Sequence, residues 1–248
     1  MRTPPAEPVP FTLSHPAAVL PFLRTGLPAS ALVAGSTVPD LPYYLPVDLG
    51  VRTHTAPALV TVDLAGGLLL WALWHGVLAA PVVAGAPAAL RARLGAVRTG
   101  LPVAGPRGAA GVVGGVLLGA GTHVLWDEFT HPGRWGTRHL AFLADDAGGR
   151  PGWSWAQETS SLIGGLVVLG WLVLWWRRAP VRPVPARRPW AWLLVAAIAV
   201  VAGAAGAVGQ PDLRSVAVLA AFTGGTAALV TTVVLALGWH VRRRISSG

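Results

Sequence analysis

Apolar residues fall along this chain in long runs, not in the alternation of strands or the narrow stripe of a soluble amphipathic helix. A membrane-spanning helix needs about 20 mostly apolar residues, because each rises about 1.5 Å through a hydrocarbon core about 30 Å thick. Five runs meet that length: 57–84, 108–126, 159–176, 189–209 and 216–239. The first carries Asp63 and His75, and the second ends near His123. The last three are uncharged throughout. The stretch 15–39 is also apolar, but Pro21, Arg24, Gly26 and Pro28 break it. Two short helices lying on the membrane face or re-entering it suit that pattern, since broken backbone is tolerated at membrane depth only when buried in protein or wetted by a cavity. The expected fold is an all-α polytopic transmembrane bundle of five to six spans with a broken N-terminal helical hairpin.

The expected organisation is a single membrane domain over 1–248. It divides into a loose Pro-rich tail (1–11), an N-terminal motif region (12–56), spans one and two with an external loop (57–158), and three apolar scaffold spans (159–248). The tail lacks the apolar core of a secretory signal. Gly111, Gly114, Gly115 and Gly119 on span two would let a neighbouring backbone approach closely.

Composition agrees with this pattern. Of 248 residues, 53% are apolar and 12% charged, where a soluble domain carries about 25% charged. Mean hydropathy is +0.58. The net charge of +9 comes from 19 basic residues, all arginine, and it first suggests nucleic acid. Their placement points to the lipid bilayer instead. Arg91, Arg93, Arg98 and Arg107 follow span one, Arg177, Arg178, Arg182, Arg187 and Arg188 follow span three, and Arg242, Arg243 and Arg244 follow span five. These three segments contain no acid and read as cytoplasmic by the positive-inside rule. The loop after span two mixes Asp127, Glu128, Asp145, Asp146 and Glu158 with arginines and reads as external. Trp175, Trp176, Trp190 and Trp192 would line the inner interface, and Trp126, Trp153 and Trp155 the outer one. The expectation is a multi-pass protein of a bacterial inner (plasma) membrane with a cytoplasmic C-terminus.

Ionisable residues inside a membrane are costly, so each is a functional candidate. With no cysteine in the chain, a metal here must use His and carboxylate. The densest cluster is THVLWDEFTHPGRW, where His123, Asp127 and His131 stand at i, i+4 and i+8. On a helix they share one face, with the ligand-pair spacing of zinc-protease histidines; Pro132 and Gly133 end that helix. The plainer alternative is a polar helix end facing headgroups. In SHP, Ser14 can cap a short helix with His15 in its first turn. Asp40, between Pro39 and Pro42, reads as a residue of a rigid turn. His54 precedes span one and could face headgroups. Asp63 reads as an interhelical hydrogen-bonding group or as support behind a ligand, His75 as a residue of the opposite leaflet, and His139 and His240 as surface histidines.

The segments PFTLSHPAAVLP, GSTVPDLPYYLP, THT and THVLWDEFTHPGRW, in that order, resemble the bacterial membrane family called domain of unknown function 4184, over nearly the whole chain. More distantly, an early His, a G-x-x-x-P-D segment and Thr-His before a span resemble the inner-membrane-bound metal-dependent hydrolases. That resemblance implies His15, Asp40, His54, His123, Asp127 and His131 as ligands of one or more divalent ions, zinc first among them. A hydrolase of a phosphoester or lipid-linked substrate would then use Asp127 and Glu128 catalytically, Glu128 or a non-ligating Asp as general base, and Arg134 or Arg138 to pair with phosphate. Two other readings stand beside it. One is a non-enzymatic structural protein with a His/Asp staple. The other is a proton or metal transporter relaying through Asp63 and His75. A hydrolase requires an open coordination position, a staple a closed one, and a transporter a polar file past Asp63.

Overall fold

The computed structural model describes residues 14–44, 50–96, 100–101, 103–185 and 189–247. The tail 1–11 and Arg98, Arg187 and Arg188 lie outside the described residues. Among those described, the regular elements are helices, and five are long and apolar enough to cross a membrane: Ala56–Gly85, Gly105–His139, Gly152–Arg178, Trp190–Ala207 and Ser215–Ser246. We refer to them as spans one to five. The fold is an all-α membrane bundle. Among the described residues before span one, no helix is long enough to count as a sixth candidate span. That stretch folds as helix α1 (Pro16–Val19), a 3₁₀ turn (Leu20–Arg24), helix α2 (Ala29–Thr37) and a second 3₁₀ segment (Val38–Tyr44).

The chain divides into two compact units. One draws on residues up to Asp40, Gly50–Leu68 and Ala110–Leu172; the other holds 41–44, Leu69–Ala109 and the chain from Val173 onward.

In the first unit, α2 lies against span two with almost no side chain between them. A Cβ at Gly119 would collide with the Leu32 carbonyl, and one at Gly35 with the Val116 carbonyl. One at Gly115 would stand 2.9 Å from the Ala31 methyl. Only glycine permits this approach. Leu32 and Val116 are fully buried at the contact. Ser36 and Thr37 return their hydroxyls to the Val33 carbonyl at 3.0 and 3.1 Å, which pairs both donors within the helix. Thr55 caps the start of span one, its hydroxyl accepting the Ala58 N–H at 3.2 Å.

In the second unit, span one departs from a regular helix, where the sequence suggests one continuous run. A π-helical turn covers Trp74–Leu78. Pro81, one turn on, has no N–H to give Val77, the residue four before it. The freed Val77 carbonyl accepts instead from His240 Nε2 at 2.9 Å. His240 is therefore half-buried and bonded within the bundle, not a surface histidine. The His75 carbonyl is taken by the Gly100 N–H at 3.0 Å, and the buried His75 ring packs on Trp71.

The basic segments after spans one and three are joined. The Arg182 N–H donates to the Ala92 carbonyl at 2.9 Å, and Arg93 donates to the Trp176 carbonyl at 3.0 Å with its guanidinium 4.1 Å from the Trp176 ring. The last helix runs Leu213–Ser247, about 52 Å at 1.5 Å per residue, well beyond the 216–239 run.

Candidate metal centre

The first unit gathers the polar residues. Most of span two is a single helix, Gly105–Thr130, which carries His123 and Asp127 on its buried face and is followed by the short helix Trp135–His139. His131 follows at the helix end, its N–H bonded to the Asp127 carbonyl at 3.2 Å. Asp40 comes from the 3₁₀ segment after α2, a helical turn and not the isolated turn its flanking prolines suggest. His54 comes from the link before span one. His15 itself occupies the N-cap position of α1, with no side-chain cap bond. The N-cap position falls on His15 and not on Ser14, and the His15 ring faces the cluster.

Four ligand atoms form a cage. His54 Nε2 lies 3.2 Å from Asp40 Oδ1, 3.1 Å from Asp127 Oδ2 and 3.2 Å from His123 Nε2. His123 Nε2 lies 3.4 Å from Asp40 Oδ1 and 3.3 Å from Asp127 Oδ2. All four atoms fall within 4.8 Å of one another, and all four residues are buried. A tetrahedral ion with bonds of about 2.0–2.1 Å separates its ligands by about 3.3 Å. Five of the six edges measured here have that length.

The imidazoles are held from behind. His123 Nδ1 donates to the Ser36 carbonyl at 2.7 Å. A carbonyl only accepts, so in the neutral ring Nε2 is a bare lone pair aimed into the cage. His54 Nδ1 meets the Thr53 hydroxyl at 2.7 Å, and the His54 carbonyl accepts from Arg134 at 2.7 Å. His54 is the one described non-glycine residue with positive φ, at 60°. Side chains seldom adopt that backbone region, and such strain persists where surrounding contacts impose it. Asp63 is fully buried beside the His54 main-chain amide, and neither of its oxygens makes a well-formed hydrogen bond.

Two carboxylate oxygens and two imidazole nitrogens converge in a buried space, where charges must be paired with one another or held on a metal. Burial, and then the adjacent His123, hold the His15 imidazole down at about 4, against the opposite pull of Asp127 and Asp40. His15 is therefore neutral at pH 7. For His54 burial also works downward, but its hydrogen bonds to Asp127 and Asp40 outweigh it and raise its pKa. Those two carboxylates thus favour the protonated form of His54, against which a metal ion would compete.

The structure does not bring every candidate into the cage. His15 and His131 stand beside it, both toward Asp127 Oδ1, at 3.8 and 3.3 Å. Glu128 lies round the helix from Asp127. Its Oε2 accepts the Trp135 N–H at 2.7 Å and its Oε1 is 3.9 Å from Arg134, so it fastens the turn after span two and makes no contact with the cage. Arg134 sits on the rim through its bond to His54. Arg138 is exposed on the next short helix, and His139 bonds the Trp135 carbonyl at 2.8 Å. Two participants have no counterpart in the motif reading. One is the Ser36 carbonyl. The other is Gln157 at the start of span three, whose side-chain amide meets His131 Nε2 at 3.2 Å. Gln157 stands just before an uncharged run, and a buried amide there is a signal of an inward-facing partner.

Fold and site together define a multi-span helical membrane protein with a buried His/carboxylate cluster able to hold a metal ion. The chain belongs to the family described as Domain of unknown function (DUF4184), whose model matches residues 9–237. No curated protein and no solved structure matches it.

Proposed function

We propose that this protein is a metal-dependent hydrolase of the membrane, holding a divalent ion, zinc by preference, on Asp40, His54, His123 and Asp127. The cage supports this reading, because five of its six edges are close to the length a tetrahedral ion imposes. A divalent ion held by these four residues would supply Lewis acidity and would lower the pKa of water toward neutrality. The chain's own residues prepare that chemistry. Ser36 and Thr53 set the two imidazoles, Arg134 clamps the His54 backbone, and Asp127 spans the cage and the His131 side. The His131 side chain is 17% exposed where the cage residues are closed off, so substrate access falls on that flank. Arg134, about a third exposed, and Arg138 sit beyond it, able to pair with a phosphate. A phosphoester or lipid-linked substrate suits that position. By the distribution of arginines the site faces outward across a bacterial plasma membrane, with the C-terminus in the cytoplasm.

One observation favours a second reading. Four protein ligands close a tetrahedral ion, as structural sites do, where catalytic sites keep an open position. Metal analysis of the purified chain, followed by hydrolysis of an activated phosphodiester, separates the two. A hydrolase binds metal in fixed ratio and loses both metal and turnover in a His123→Ala/Asp127→Ala variant. A staple binds metal, loses thermal stability on chelation, and turns over nothing. Absence of stoichiometric metal in the wild type defeats both. A reporter fused after Arg150 should read external; a cytoplasmic reading reverses the orientation.

A further inference from the structure

The residues left over from the cage are arranged around the free side of one of its ligands. Asp127 uses Oδ2 toward His54 and His123. Its Oδ1 is buried, makes no hydrogen bond among the described residues, and faces His15 Nε2 at 3.8 Å and His131 Nδ1 at 3.3 Å. His15 is 2% exposed, and its ring stacks on His123 with centroids 3.8 Å apart and planes within 18°. Both imidazoles direct Nε2 at the same carboxylate, one at each oxygen.

We propose that His15, Asp127 Oδ1 and His131 form a second divalent-cation site, and that Asp127 bridges two ions. The proposal rests on the metal reading above and extends it. Paired metal sites hold their ions about 3.5–4 Å apart, and two stacked imidazoles whose rings are 3.8 Å apart offer parallel lone pairs at that spacing. His15, stacked face to face on another imidazole, is otherwise a buried polar ring with Nδ1 unbonded among the described residues. Bound through Nε2, it has a use for its burial. His131 binds through Nδ1 when Nε2 carries the proton, and Gln157 can accept that proton with its amide oxygen turned inward. The oxygen and nitrogen of such an amide exchange by a simple flip. With three protein ligands and a partly exposed His131, this second position has the openness that the four-ligand cage lacks.

The test uses the full chain in lipid nanodiscs, stripped of metal and reloaded with Mn²⁺ alone. Stoichiometry is read by elemental analysis and coupling by electron paramagnetic resonance. The expected wild type holds two ions per chain with a spin-coupled spectrum. His131→Gln and His15→Ala hold one, with the six-line spectrum of an isolated ion. One ion in the wild type, kept in His131→Gln and lost in Asp40→Ala, overturns the second site and leaves the cage standing. No ion in the wild type removes both. Should the His15 variant fail to fold, the wild-type coupling and His131→Gln still decide the matter.

Discussion

Two helix contacts in this molecule are made by the same device and serve different ends. In the first unit, α2 meets span two through Gly35, Gly115 and Gly119. In the second, spans four and five meet through Gly203, Gly206 and Gly224, where an added Cβ would crowd the Ala220 carbonyl, Thr223 and the Ala199 carbonyl. Small residues let helices associate in lipid, where apolar side chains gain nothing by leaving the solvent. Beyond that the contacts diverge. The four–five contact is tied by one hydroxyl, Thr223 to the Ala202 carbonyl at 3.0 Å. The α2 contact sets the Ser36 carbonyl one turn from Gly119, where it fixes the His123 ring. Burial separates the two contacts as well: 39% of the apolar window in span two is buried, against 6% in spans four and five. Glycine brings helices together anywhere in the chain, and buried polar partners decide which contact becomes a site.

The largest test of this contrast is Asp127→Ala. It should abolish metal binding in elemental analysis. It should also cost about 3–5 kcal/mol in detergent unfolding, the usual penalty for breaking a buried charged pair. Survival of full metal content would remove Asp127 from the centre. Next, Gly119→Val and Gly203→Val should each lose about 1–3 kcal/mol by overpacking, but only Gly119→Val should also release metal. Equal metal content in the two variants would break the comparison.

A third test concerns protons. Because His54 has a raised pKa without metal, binding an ion near neutral pH should release its proton. Affinity should therefore rise as pH climbs through the usual histidine range and above it, and weaken on acidification. Calorimetry in buffers of different ionisation heat checks the release; a buffer-independent heat would contradict it. The smallest effect belongs to the second unit. His240→Ala should cost about 1 kcal/mol by stranding the Val77 carbonyl, and clearly less in a Pro81→Ala background, where a restored N–H takes that carbonyl. Equal costs in both backgrounds would separate His240 from Pro81.

The five spans were legible because hydropathy over about 20 residues is a local property. So was the shared face of His123 and Asp127, since four-residue spacing on a helix needs no tertiary knowledge; the helix ends at Thr130, just before His131. The meeting of Asp40 and His54 with that face was not readable from spacing. His54 and His123 are 69 positions apart, and only the ordered motifs implied that they meet. Glu128, adjacent in sequence to Asp127, looked equally placed for chemistry. A helix turns about 100° per residue, which carries it to the rim and to the Trp135 amide. Ser36 acts through its carbonyl, a group every residue has, and no motif can flag it. His240 looked like a surface residue because the defect it repairs, the missing amide of Pro81, lies 159 positions upstream.

That repair has a consequence for how the chain is made. Val77 and His240 are separated by 163 residues. At the roughly 5–20 residues per second of synthesis, span one waits on the order of ten to thirty seconds for its partner to emerge. Through that interval the carbonyl must be met by water or by the insertion machinery. Span one is thus completed only when span five has emerged to meet it.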